Sequence, residues 1–306
     1  MGINPGILLM LLTAFFQSTM QAVVKSVSTD INTTIQLLAY YGIPLVIFIP
    51  LMMKHGLAPY KTKRFPFLLL RGVITTGAVF CFFYTASHMS LGIGAVLFNT
   101  TPIFIPLLAS FLLKEHTAPK VYLGILISLV GVVIVIHPKP GEFLSFVSLI
   151  GLASGFLMAV SQVMLRYLAK LNESVNNIVF YLYLTCVMST LFFIVLEYFF
   201  NHHQTDVHLI HSAHPVFVYG MLFFLGLLSF FAQRALTRAF QYMPAGKLAP
   251  YLYVSIPISS LYGWIFWHQQ ISSTVILGSA VVVVGVCIIA FDLNFQRNHK
   301  VSETIH

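Results

Sequence analysis

The sequence predicts an all-α integral membrane protein in which ten transmembrane helices form two inverted five-helix repeats. Three observations predict it. The first is composition: of 306 residues, 58% are hydrophobic and 8% charged, and mean hydropathy is +0.90, whereas ordinary globular chains carry about 25% charged residues. The second is a series of apolar stretches of about 18–25 residues, the length a helix needs to cross roughly 30 Å of hydrocarbon. They run continuously, without the period-2 alternation of barrel strands, so helices satisfy the backbone. The third is an internal repeat. Shifted by 154 positions, Met89 falls on Met243, Gly92 on Gly246, Leu107 on Leu261, Gly124 on Gly278 and Gly131 on Gly285. Five spans per copy is an odd number, so the copies cross the membrane in opposite senses, as in many secondary carriers.

The ten spans are expected at about 5–24, 33–53, 66–87, 92–113, 118–137, 145–168, 175–200, 215–240, 246–266 and 271–291. The first lacks the basic leader and small-residue cleavage site of a signal peptide, so it reads as a retained helix. It carries Gln17, Ser18 and Gln21, with Lys25 four residues after the second glutamine. The sixth span echoes it with Ser161, Gln162 and Arg166. Residues i and i+4 share a helix face. These groups therefore make either two polar walls across a central cavity or interhelical hydrogen bonds that hold the bundle.

Spans four and nine are interrupted by proline, at Asn99-Thr100-Thr101-Pro102 with Pro106, and at Pro250 and Pro257. Proline frees a carbonyl and kinks the helix, and broken helices in matching halves point to a carrier's binding site. Asn99, Thr100 and Thr101 face the counterpart residues Tyr251 and Tyr253 as candidate cavity groups; the plainer reading is threonine hydroxyls bonded to their own helix. Spans five and ten carry Gly124 and Gly131, and Gly278 and Gly285, each pair seven apart and so on one face, which Ser128 extends. Small residues let helices approach closely in lipid, so these spans are expected to form the seam between repeats. A Pro/Gly cluster at His137-Pro138-Lys139-Pro140-Gly141 cannot continue a helix and joins the halves. The division is residues 1–140, 141–295 and a tail at 296–306.

Span eight holds Arg234, about 9 Å inside its helix end by the 1.5 Å rise per residue. An ionised group at that depth marks function by default, here contact with a substrate carboxylate or phosphate; the alternative is a long stem snorkelling to the interface beside Arg238. The segment 201–214 holds His202, His203, His208, His211 and His214 with Asp206, a density that suits either a solvated loop or metal and pH sensing. The ligand spacings match no defined metal site.

The net charge of +8 is an orientation signal. With the N-terminus in the cytoplasm, Lys54, Lys61, Lys63, Arg64, Arg71, Lys114, Lys120, Arg166, Lys170, Arg238, Lys247, Arg297 and Lys300 fall at the cytoplasmic face, and only Lys25 and Lys139 outside. That bias places both termini in the cytoplasm and removes nucleic acid as a partner. Cys81, Cys186 and Cys287 all lie in apolar stretches, so no disulfide framework or metal site is expected.

With that layout the chain resembles the EamA-type carriers of the drug/metabolite transporter superfamily. The resemblance rests on Ala86-Ser87-His88-Met89-Ser90 through Pro102, Leu113-Lys114-Glu115 and Gly124 to Gly131 in the first copy. In the second it rests on Arg238 through Ala245, Ala249-Pro250, Pro257, Trp267-His268-Gln269-Gln270 and Gly278 to Gly285. The family pattern has a Glu after the fourth helix of each repeat; Glu115 keeps it, and Gln269 or Gln270 replaces it. The resemblance implies a ten-helix basket with spans five and ten at the back. It implies transport of a metabolite, amino acid, nucleotide-like solute or drug.

The expected activity is therefore secondary transport of a small polar or amphipathic metabolite by alternating access, in the inner membrane of a bacterium. A monomer or weak homodimer without cofactors is expected. The alternatives are an intramembrane enzyme or a receptor or scaffold. The first lacks HExxH, paired acids at depth and a serine–histidine pair, since Ser154 sits among small residues suited to packing. The second would need a large soluble surface. The first span also has no acidic residue, so proton coupling through a buried carboxylate there finds no support.

Overall fold

A computed structural model describes residues 4–27, 31, 33–55, 62–88, 97–115, 118–136, 146–200, 215–268 and 273–303. The His-rich segment 201–214, the inter-repeat cluster 137–141 and Gln269-Gln270 lie outside them. The helices are α1 (Pro5–Val27), α2 (Thr33–His55), α3 (Phe65–His88), α4 (Thr101–Leu113), α5 (Pro119–Ile136), α6 (Phe146–Lys170), α7 (Val175–Phe200) and α8 (Pro215–Tyr242). The ninth span is built in three pieces: α9 (Ala245–Leu248), a 3-10 turn (Ala249–Val254) and α10 (Ser255–Trp267). The tenth is α11 (Ser273–Glu303). Among them Pro5–Val27, Phe65–Phe82, Phe146–Lys170, Val175–Val195 and Pro215–Tyr242 are long and apolar enough to cross a membrane alone. α11 runs past its expected end at residue 291, because 292–303 contains neither Pro nor Gly to stop it.

The two repeats interlock rather than sit side by side. α1 packs on α8 and its counterpart α6 packs on α3; α2 packs on α8, and its counterpart α7 on α3. Fold and repeat therefore carry the same symmetry. Gly72 and Gly226, 154 positions apart, show it locally. A Cβ on Gly72 would collide with the Thr185 side chain of α7, and one on Gly226 with Ile43 of α2. Each glycine is where its helix approaches a helix of the other repeat.

At the back, α5 and α11 pack antiparallel. A Cβ on Gly131 would lie 2.6 Å from the Gly278 carbonyl oxygen, and one on Gly285 2.5 Å from that of Gly124. Between them the Ser128 hydroxyl donates to the Val282 carbonyl at 3.3 Å. Ser128 and Val282 are repeat equivalents, so their contact marks where the pseudo-two-fold axis crosses the molecule. Asn99 and Tyr253, also equivalents, meet likewise: the Tyr253 hydroxyl donates to the Asn99 carbonyl at 2.9 Å.

Contacts sort the helix ends into two faces. The start of α1 meets the end of α8, where Gly6 lies beside Tyr242 and Met243. The end of α4 meets the end of α6 and the start of α9. Most described Lys and Arg gather on this basic face. On the opposite face, Val27 at the end of α1 and Ile31 beyond it pack against Val218 near the start of α8.

Candidate functional site

Spans four and nine both break at the axis. In the fourth, a turn at Asn99-Thr100 precedes α4, whose first turn holds Pro102. In the ninth, the 3-10 turn Ala249–Val254 opens on Pro250, and α10 carries Pro257 in its first turn. Proline suits a first turn because it has no N–H to leave orphaned. The Thr100 and Thr101 hydroxyls return to backbone carbonyls three residues earlier, at 2.6 and 2.7 Å. Thr101 also reaches the Gly155 carbonyl of α6 at 3.1 Å. Both hydroxyls thus have backbone partners, as does Tyr253. Tyr251 is buried with its hydroxyl unpartnered among the described residues, and Cys287 of α11 is an electrostatic neighbour.

A polar line joins α1 to α10. Ser18 donates to the Ser255 carbonyl at 2.9 Å, Ser259 donates to Gln21 Oε1 at 2.8 Å, and Thr19 meets the Tyr262 hydroxyl at 3.0 Å. At its end the Lys25 ammonium stands 4.7 Å over the Trp267 ring. Gln17, one turn before Gln21, is half-buried.

The matching line joins α6 to α4, through Gly151 and Gly155 against Leu97 and Thr100, and ends in charge. Arg166 Nε donates to Glu115 Oε1 at 2.7 Å, and the Ala245 N–H donates to Oε2 at 3.0 Å. Arg166 Nη1 donates to the Phe240 carbonyl, and Lys170 Nζ lies 3.9 Å from Glu115 Oε1. One buried carboxylate therefore ties α4, α6, α8 and α9 together, and Arg166 belongs to this cluster rather than to a wall shared with Gln162. Gln162 is buried, its Oε1 lacking a partner among the described residues. Beside these, Glu173 is buried and takes hydrogen bonds from Thr62, Arg64 and Asn177, at 2.9, 3.4 and 2.7 Å, closing the basic face between α3 and α7.

Arg234 donates to Asn176 Oδ1 at 2.6 Å and lies 5.3 Å over the Phe230 ring. The partner sits in the first turn of α7, so the arginine spans α8 to α7 near the basic face. A different cation is the deeply buried one. Arg71, sorted by sequence to the membrane surface, is 2% exposed. The reason is that α3 begins at Phe65, which puts residue 71 about 9 Å inside by the 1.5 Å rise, with α6 and α7 packed over it. Tyr183 and Cys186 are its electrostatic neighbours. Around them the Tyr183 hydroxyl donates to the Ser229 carbonyl at 2.8 Å, and the Tyr41 ring lies 4.8 Å from Tyr40 and 6.4 Å from Tyr183. This tyrosine group was absent from the sequence reading, because isolated tyrosines in apolar runs give no periodic signal.

Paired broken helices at a pseudo-two-fold axis, within interlocked inverted repeats, define a multi-pass membrane carrier. The chain belongs to the EamA-like transporter family, whose model matches residues 4–137 and again 145–291. It is 27% identical over 283 residues to the pseudopaline exporter CntI of Pseudomonas aeruginosa, covering 92% of this chain and 95% of that one. It is 23% identical to a riboflavin transporter of Brucella anthropi, covering 83% and 87%. It is 21% identical to an S-adenosylmethionine uptake transporter of Rickettsia prowazekii, covering 83% and 82%. A solved crystal structure superposes with a TM-score of 0.79 at 16% identity, over 95% of this chain and 99% of that one, and so shares its fold. The protein is, by family, a transporter and not an enzyme.

Proposed function

We propose that this carrier moves a small polar or amphipathic metabolite by alternating access in a bacterial inner membrane, with both termini and the basic face in the cytoplasm. The observation that supports the reading is a pair of latches at symmetry-related positions. Arg166, four residues after Gln162, closes on Glu115 at one end; Lys25, four residues after Gln21, closes on Trp267 at the other. Each latch joins a helix of one repeat to a helix of the other, so a relative shift of the interlocked helix groups that opens one latch leaves the other closed. The excess of Lys and Arg at one face supports the orientation. Pseudopaline, riboflavin and S-adenosylmethionine, named for the relatives, support a polar organic solute. Both repeats, residues 1–140 and 141–295, lie in one chain, which supports a whole pathway within one copy.

Gln17, Gln21, Asn99, Gln162 and Arg234 are the groups we assign to the solute's path. The test is an untargeted release assay. Liposomes containing the purified protein are loaded with a bacterial metabolite extract, and mass spectrometry follows each solute against protein-free liposomes. One or a few small polar solutes should leave in a protein-dependent way. Identical retention of every solute in both preparations would refute transport.

A further inference from the structure

We infer that Arg71 is the counter-ion for a solute anion, so that the transported metabolite carries a carboxylate. Arg71 is 2% exposed, and its Nε and Nη1 have no acceptor among the described residues. An ionised group buried without a partner is costly and persists where a ligand supplies the missing charge. Among the described residues no carboxylate is free to supply it. Lys and Arg number 16 against 8 Asp and Glu, and the two carboxylates whose side chains are described are already engaged. Glu115 is held by Arg166, and Glu173 by Thr62, Arg64 and Asn177. The electrostatic neighbours it has, Tyr183 and Cys186, are not carboxylates.

Repeat symmetry separates this arginine from the scaffold. Gly72 and Gly226 make equivalent close approaches to the opposite repeat. The residue before Gly226 is Leu225, fully buried and apolar. An apolar side chain therefore satisfies the fold at this position, and the first copy carries a guanidinium instead. Thr75, one turn on from Arg71, meets Ser161 of α6 at 2.6 Å, which sets Arg71 between the α6 and α7 faces of α3. The organic part of the solute would meet the rings of Tyr183 and Tyr41. A planar guanidinium fork matches a carboxylate in two hydrogen bonds.

This inference rests on the transport reading, and two measurements keep the two apart. Thermal unfolding of the full chain in neutral detergent is followed with benzoate and, separately, with its uncharged analogue benzamide. Wild type should be stabilised several-fold more by benzoate. Arg71→Met should lose that difference while unfolding, ligand-free, at the same or a higher temperature; Arg71→Lys should keep part of it. Equal shifts with both probes in wild type, a benzoate preference that survives in Arg71→Met, or a lowered ligand-free midpoint in that variant each overturn the assignment. Stabilisation that depends on Arg71 with added phosphatidylglycerol but not with benzoate assigns the site to a lipid headgroup and overturns it too. In the release assay, a wild type that exports organic anions and an Arg71→Met variant that exports them equally refute Arg71 alone. A wild type that exports nothing refutes transport.

Discussion

Glu115 uses both carboxylate oxygens to hold an arginine from α6 and a backbone N–H from α9. Removing its charge leaves the largely buried Arg166 guanidinium without a counter-ion, with the Phe240 carbonyl still accepting from it, and breaking a buried pair from one side costs about 3–5 kcal/mol. Glu115→Gln should therefore lower the unfolding midpoint of the detergent-solubilised protein by several degrees; an unchanged midpoint would show the pair to be idle. By contrast, Gln21 accepts a single exposed bond from Ser259. Gln21→Ala should cost no more than about 1 kcal/mol while changing release, so a large loss of stability would mark it as structural. Single residues were the part of the site least legible in the sequence. The spacing that pairs Gln162 with Arg166 is real, but Glu115, distant in sequence, decides where the arginine points. Arg71 was legible in principle, since counting from the start of its helix puts it as deep as Arg234. Sorting charges to faces hid that depth.

Helices were far more legible, because each is a local consequence of a long apolar run. The breaks in spans four and nine follow from proline placement. Their details do not: Pro102 and Pro250 open new helical pieces, and the freed groups are taken up by threonine hydroxyls and by Tyr253 across the axis. Contacts between helices are set by where backbones can approach. A Cβ on Gly131 meets backbone atoms of Gly278 and Val282 at 2.6 and 2.7 Å, and backbone cannot swing aside as a side chain can. Gly131→Ala should thus force α5 and α11 apart, costing about 1–3 kcal/mol. Gly220, in α8, has nothing within 4 Å of a built Cβ. There Gly220→Ala should be neutral or stabilising by up to about 1 kcal/mol. Thermal unfolding of the two variants side by side checks the contrast, and equal losses would contradict the close seam.

For the whole molecule, the inverted repeat made the fold legible before any contact was known, since an odd number of spans per copy leaves only an antiparallel pairing. What it did not convey is interlocking: α1 packs on α8 and α6 on α3, so neither repeat moves without carrying elements of the other. The most direct test of alternating access is to lock each end in turn. With Cys81, Cys186 and Cys287 replaced by Ala, one variant carries Lys25→Cys and Trp267→Cys, and a second carries Lys114→Cys and Lys170→Cys. Each is reconstituted and treated with a short, reducible bifunctional thiol reagent. Cross-linking either end should stop solute release, and reduction should restore it. Release that continues at full rate with either end verifiably cross-linked would contradict alternating access.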